Sequence, residues 1–162
     1  MFRTLMTTTA AALMISTAAF AQDALTVKSV LVETDLQAVS NERAAAYWTT
    51  LSDDLTKAIS ERVANQLGED GTDIKIDISE VELSNGFEEA MGLANTKLVG
   101  QVRMDNTTNP TRFSVFELTV DVQQAMPLMP AGTDITTLPA DTRTFYEALV
   151  NAFAQAVVDR LV

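Results

Sequence analysis

The chain has 162 residues, 11 basic and 22 acidic, with neither cysteine nor histidine, for a net charge of −11. The missing cysteines exclude disulfides, thiolate nucleophiles and zinc–sulfur sites, and the missing histidines remove the usual general base and commonest transition-metal ligand. An acidic surface repels nucleic acid and anionic lipid, and a hydrophobic share of 47% argues against disorder.

Residues 1–21, MFRTLMTTTAAALMISTAAFA, read as an export signal. Arg3 supplies the positive start, Leu5–Ala18 the apolar stretch and Ala19-Phe20-Ala21 the small-x-small cleavage pattern. The apolar run is too short, and too interrupted by threonine, to span a bilayer as a helix. Cleavage before Gln22 is expected to release a periplasmic protein, residues 22–162, folded as a single α+β domain. A chain of that length buries about 68% of its unfolded surface and needs no staples. No acylatable cysteine stands at its start, so no lipid anchor is expected there and the mature protein is not expected to be membrane-anchored.

Residues 26–36, TVKSVLVETDL, form a β-branched run with Val30, Leu31 and Val32 consecutive, which predicts a strand buried on part of both faces. Ser40 or Asn41 is placed to cap a helix over about 41–67, whose apolar stripe is Ala44, Trp48, Leu51, Leu55, Ile59, Val63 and Leu67. Gly68 stands where a left-handed C-terminal cap is expected. Beyond the GEDGTD turn, Ile74, Ile76 and Ile78 alternate with Asp73, Lys75 and Asp77, a half-buried strand. Val81 and Leu83 break that phase, so a bulge is expected near Ser79-Glu80. Residues 84–96 read as a loop or a single helical turn.

Leu98, Gly100, Val102 and Met104 alternate, Asn106–Pro110 turns, and Phe116, Leu118, Val120 and Val122 alternate on the return. Both sets are even-numbered, so a shared face requires opposed residues to sum to about 218, pairing Val102 with Phe116 and Gly100 with Leu118. Residues 123–140 read as a connection rich in proline. A closing helix is expected over about 142–161, with Thr144-x-x-Glu147 as a capping box and Phe145, Leu149, Phe153, Val157 and Leu161 as its apolar stripe. The order β-α-β-β-β-α, with a right-handed crossover, predicts a two-layer α+β sandwich. Its mixed sheet has four strands, the first two parallel, with both helices on one face.

That order, with Leu98-Val99-Gly100-Gln101-Val102-Arg103 in the third strand and Phe145–Val158 in the last helix, resembles small α/β envelope modules of Gram-negative bacteria. The amino-terminal domain of TolB and the periplasmic part of curli-secretion lipoproteins share the outline. The resemblance implies an accessory role in the envelope and carries over no functional residue. The chain departs from the lipoproteins in lacking their anchoring cysteine.

No catalytic residue, metal site or cofactor is expected. Glu69-Asp70-Gly71-Thr72-Asp73 offers three carboxylates but not the spacing of a calcium loop, and reads as a solvated turn. Asp73, Lys75 and Asp77 share a strand face, as the polar side of a half-buried strand requires. No serine lies in a nucleophile elbow, and no glycine-rich phosphate loop occurs. Asn106-Thr107-Thr108 matches the N-glycosylation acceptor pattern and reads as a hairpin turn.

Trp48 falls on the apolar stripe, and Gly100 leaves a gap in the core face that Trp48 could fill. A small-ligand carrier would place its pocket between sheet and helices, near these two and the 84–96 segment. Val99, Phe113 and Val115 are odd-numbered and face away from the helices, with Val30 or Val32 as possible neighbours. Met126-Pro127-Leu128-Met129-Pro130 is an apolar loop whose methionines suit an adaptable contact. The expected function is non-enzymatic: a periplasmic accessory protein binding a protein partner, or a second copy, through the open sheet face (Val99, Phe113, Val115) and the Met–Pro loop (Met126, Leu128, Met129). The carrier is the alternative, and a hydrolase working with carboxylates alone ranks third.

The export reading is checked by N-terminal sequencing of the exported protein, which is expected to begin Gln-Asp-Ala-Leu. Residues 1–21 retained in a membrane fraction would overturn it.

Overall fold

A computed structural model describes residues 25–34, 48–82, 96–134 and 143–161, with only the backbone of 79–82. The export segment, the Ser40/Asn41 cap, Ala44 and the 84–95 stretch lie outside the described residues. Strand β1 (Val27–Thr34) leads to helix α1 (Leu51–Arg62), then to β2 (Thr72–Glu82), β3 (Lys97–Asp105) and β4 (Ser114–Asp121). A one-turn helix α2 (Val122–Ala125) and the closing helix α3 (Arg143–Val158) follow. The four strands lie in sequence order, β1 parallel to β2 and the rest antiparallel, with α1 and α3 packed together on one face. This is the expected two-layer α+β sandwich.

The expected registers occur: Val102 opposes Phe116 and Gly100 opposes Leu118. On the other side of β3, Ile76 opposes Val102 and Ile74 opposes Met104. The bulge occurs too, the register shifting between Ile78 and Glu80 so that Val81 comes to face Leu98. Even-numbered residues of β2 as far as Ile78, and those of β3 and β4, therefore lie on the helix side. Ile74, Ile76, Ile78, Leu98, Val102, Met104, Leu118 and Val120 join Leu51, Leu55, Ile59, Phe145, Leu149, Phe153 and Val157 in one buried cluster.

Four local expectations are corrected. First, β1 is buried on one face only. Val32 belongs to the core and Val30 packs against it, while Leu31 is 48% exposed. The continuous apolar run of a doubly covered strand needs layers on both faces, and β1 is an edge strand with helices on one.

Second, α1 stops at Arg62, a 3-10 turn covers Ala64–Gln66, and Leu67 is exposed rather than on the stripe. Gly68 has no positive φ. The chain leaves the helix early to join the start of β1: Leu67 bridges Val27, Gly68 N–H donates to the Val27 carbonyl (2.9 Å), and Thr72 N–H to the Thr26 carbonyl (2.7 Å). The glycine this junction requires most is Gly71, where an added Cβ would stand 2.5 Å from the Val27 carbonyl carbon.

Third, Thr144 is the second residue of α3, too deep to cap it, and Glu147 instead accepts from Arg143 Nε at 2.6 Å. A capping box does occur elsewhere. The Asp121 side chain accepts from Gln124 N–H, and Gln124 Oε1 from Asp121 N–H, starting α2 within what reads as a plain connection. Fourth, Gly100 is covered by Ile78 and Phe153, not by Trp48: an added Cβ would lie 2.9 Å from Ile78 Cδ1 and 3.1 Å from Phe153 Cζ.

Asn106 ties the turn before β2 to the turn after β3. Its side chain is buried, donating from Nδ2 to Thr72 Oγ1 (3.2 Å) and the Asp70 carbonyl (3.4 Å). Its Oδ1 accepts from the backbone N–H groups of Thr108 (3.0 Å) and Asn109 (2.8 Å). Asn106→Ala is expected to cost about 2–3 kcal/mol, because buried donors and acceptors lose partners together. Urea denaturation measures it; a loss under about 0.5 kcal/mol would show the knot to be incidental.

Candidate functional site

The register that buries even-numbered residues turns the odd ones outward. Across the outer face, Leu31, Lys75, Arg103 and Val115 form one row, with Glu33, Asp77, Gln101 and Glu117 beside it. Ser29, Asp73 and Asp105 form the row on the other flank, and Phe113 follows just before β4. Phe113 is 51% exposed and Val115 45%, comparable with Leu31 at the opposite edge. The Arg103 guanidinium lies 5.1 Å from the centre of the Phe113 ring and 3.5 Å from Asp105. Ser29 Oγ donates to Asp73. Phe116, by contrast, sits on the helix side with Arg160 over its ring at 4.7 Å.

Val99 departs from the expected surface: it is buried. It faces the bulge, where Ser79 and Glu80 together oppose it and the local twist increases. Met126 and Leu128 are exposed on a 3-10 turn, while Met129 packs against the core. That turn follows α2 and packs on α3, so β4, on the order of 20 Å long, separates it from Phe113 and Val115. The structure thus brings Phe113, Val115 and Arg103 together, sets Leu31 at the opposite edge of the same face beyond Lys75, and leaves the Met–Pro turn as a second, separate patch. Leu31 was legible in principle, since it alternates with Val30 and Val32. The Arg103–Phe113 contact needed the register.

Trp48 is buried, its indole meeting the Tyr146 ring edge-to-face with centroids 5.2 Å apart. Tyr146 OH donates to Asp54 Oδ2 (2.6 Å), which also accepts from Thr50 Oγ1 (2.7 Å). Thr50, Asp54 and Tyr146, but not Trp48, border a solvent-open groove of about 360 Å³ between α1 and α3, lined also by Lys57, Glu61 and Arg143. Its charges are largely engaged along the helices: Lys57 lies 4.0 Å from Glu61, and Arg143 bonds Glu147. Arg62 closes one end, donating to the Ala58 carbonyl and to Asn151 Oδ1. Burial first, and the hydrogen bond to Asp54 second, push the Tyr146 phenol well above its ordinary value. It is a fixed donor at neutral pH, not a base.

In the acidic turn, Asp70 gives its carbonyl to Asn106 and Thr108, and Asp73 turns onto the outer face. Among the described residues no three acidic side chains converge as a metal site, and no helix is long and apolar enough to cross a membrane.

No family model and no curated protein sequence matches this chain. Among solved structures it is similar to a hypothetical protein from Chlamydia trachomatis, at 11% identity and a TM-score of 0.46, over 85% of this chain and 96% of that one. It is also similar to a candidate lipoprotein from Caulobacter crescentus, at 12% identity and a TM-score of 0.37, over 80% of this chain and 86% of that one.

Tyr146→Phe is expected to lower stability near neutral pH by about 1–2 kcal/mol. The pH dependence follows from the raised pKa. Below about pH 10 the phenol is protonated whether the chain is folded or unfolded, and the bond contributes fully. As pH rises above that value the unfolded chain ionises first, so the contribution is lost on the way to the folded pKa. Urea melts at about pH 7 and about pH 11 should show the gap between wild type and variant narrowing at high pH. Equal stability at neutral pH would remove the bond from the account.

Proposed function

We propose that this protein is a non-enzymatic accessory protein of the bacterial envelope, exported to the periplasm by residues 1–21, that binds a protein partner through the outer face of its sheet. One observation carries the reading: Leu31, Phe113 and Val115 are each about half exposed on the face opposite both helices. Phe113 and Val115 adjoin one another at the start of β4, and contiguous exposed apolar area commonly marks an interface. The carrier alternative gains nothing from Trp48, which meets the Tyr146 ring, or from Gly100, which Ile78 and Phe153 cover. The groove between the helices is open and lined with charge. The Met126–Leu128 turn supplies a second contact in this reading.

A photo-reactive side chain placed at Lys75 on the sheet face, or at Glu61 on α1, tests it in the native host. A discrete cross-linked product is expected from position 75 and not from position 61, and Phe113→Ser should reduce its yield about tenfold. The same substitution should cost isolated protein about 1 kcal/mol or less, since half of the ring is already in water. Product from position 61 alone, or from neither, overturns the reading. Unfolding of isolated Phe113→Ser would assign the ring to the core.

A further inference from the structure

The charges on the outer face do not balance, and the imbalance says what kind of partner fits. Arg103 is held by Asp105 and covers Phe113, and Asp73 accepts from Ser29. Lys97 opposes Asp121 at the far end of β3, and among the described residues none of Glu33, Asp77, Glu117 and Lys75 has an ion pair, so the two middle rows hold three unpaired carboxylates against one unpaired ammonium. The three carboxylates share one row. Glu33 stands beside Asp77 in the parallel register, and Gln101 separates Asp77 from Glu117. Neighbouring strands lie about 4.8 Å apart, and like charges side by side at that spacing destabilise a sheet. The row of Leu31 and Val115 runs parallel to the carboxylates, two residues along each strand, or about 6.6 Å away.

We infer that the partner surface is basic and apolar: a protein segment that sets Lys or Arg side chains against Glu33, Asp77 and Glu117 while its aliphatic or aromatic side chains cover Leu31, Val115 and Phe113. The inference rests on the sheet-face reading above and gives that partner its chemistry. The net charge of −11 favours the same occupant at long range, steering a basic partner toward the protein. A second copy fits worse, because it brings the same net charge and presents the same carboxylate row.

A random dodecapeptide library displayed on phage and selected against the mature chain supplies the probe. Selected peptides are expected to combine Lys or Arg with Leu, Ile or Phe. Their affinity, read by fluorescence polarisation, should fall about tenfold or more in Phe113→Ser and in a Glu33→Gln/Asp77→Asn/Glu117→Gln variant. Asp77→Asn alone should weaken binding less, Glu61→Gln should leave it unchanged, and added salt should weaken it several-fold.

Peptides that lose binding in Phe113→Ser but not after neutralisation, or that carry no basic excess, would overturn the basic partner and leave the sheet-face reading standing. Peptides indifferent to both variants, or none selected, would remove both. A concentration-dependent dimer abolished by Phe113→Ser would make a second copy the occupant, again overturning the basic partner alone.

Discussion

Ile76, Val102 and Phe116 stand side by side across β2, β3 and β4, and that register assigns most side chains of the sheet to their layer. A slip of one residue would exchange the faces, sending Ile74, Ile76 and Ile78 into water and Asp73, Lys75 and Asp77 against Leu55 and Phe153. Burying unpaired charge is so costly that the alternating sequence itself excludes the slipped pairing. Asn106 holds the register at one end by joining the turns before β2 and after β3. At the other end the bulge admits the extra residue that returns Val81 opposite Leu98.

The helical layer is fixed by different means. Apolar stripes on α1 and α3 meet the sheet. The seam between the two helices is polar at its solvent edge, where Asp54 gathers hydroxyls from Thr50 and Tyr146 and Arg62 reaches across to Asn151. Such bonds are directional where the hydrophobic effect is not, so they select one helix–helix alignment among several of similar buried area. The groove they line has the character of a packing seam, its charged groups largely occupied with one another.

Much of this was legible from spacing alone. Three isoleucines at alternate positions, an even-numbered hairpin and two stripes stepping by three or four specify strands, register and the inward faces of the helices. The sites that misled are those where tertiary contacts override a local signal. Gly68 looks like a helix cap, but strand β1 draws the chain out of the helix first, and the close approach falls at Gly71 instead. Val99 has the parity of an exposed residue but is buried, at the point where the neighbouring strand bulges and the register shifts. The surface was half legible: parity points to Phe113 and Val115. Leu31 and the guanidinium over Phe113 depend on which strand lies at the edge and which residue lies opposite, facts of pairing rather than of composition.

Trp48 is the only tryptophan in the chain, and its indole lies edge-on against Tyr146 within the buried layer. The protein thus carries a single indole, selectively excitable at wavelengths where its two tyrosines absorb little, placed where α1 and α3 meet and on the opposite side of the sheet from the proposed contact face. Emission from a dry indole shifts to longer wavelength when water reaches it. A separation of the two helices would therefore register optically without any label, while an event confined to the outer sheet face would leave the signal untouched.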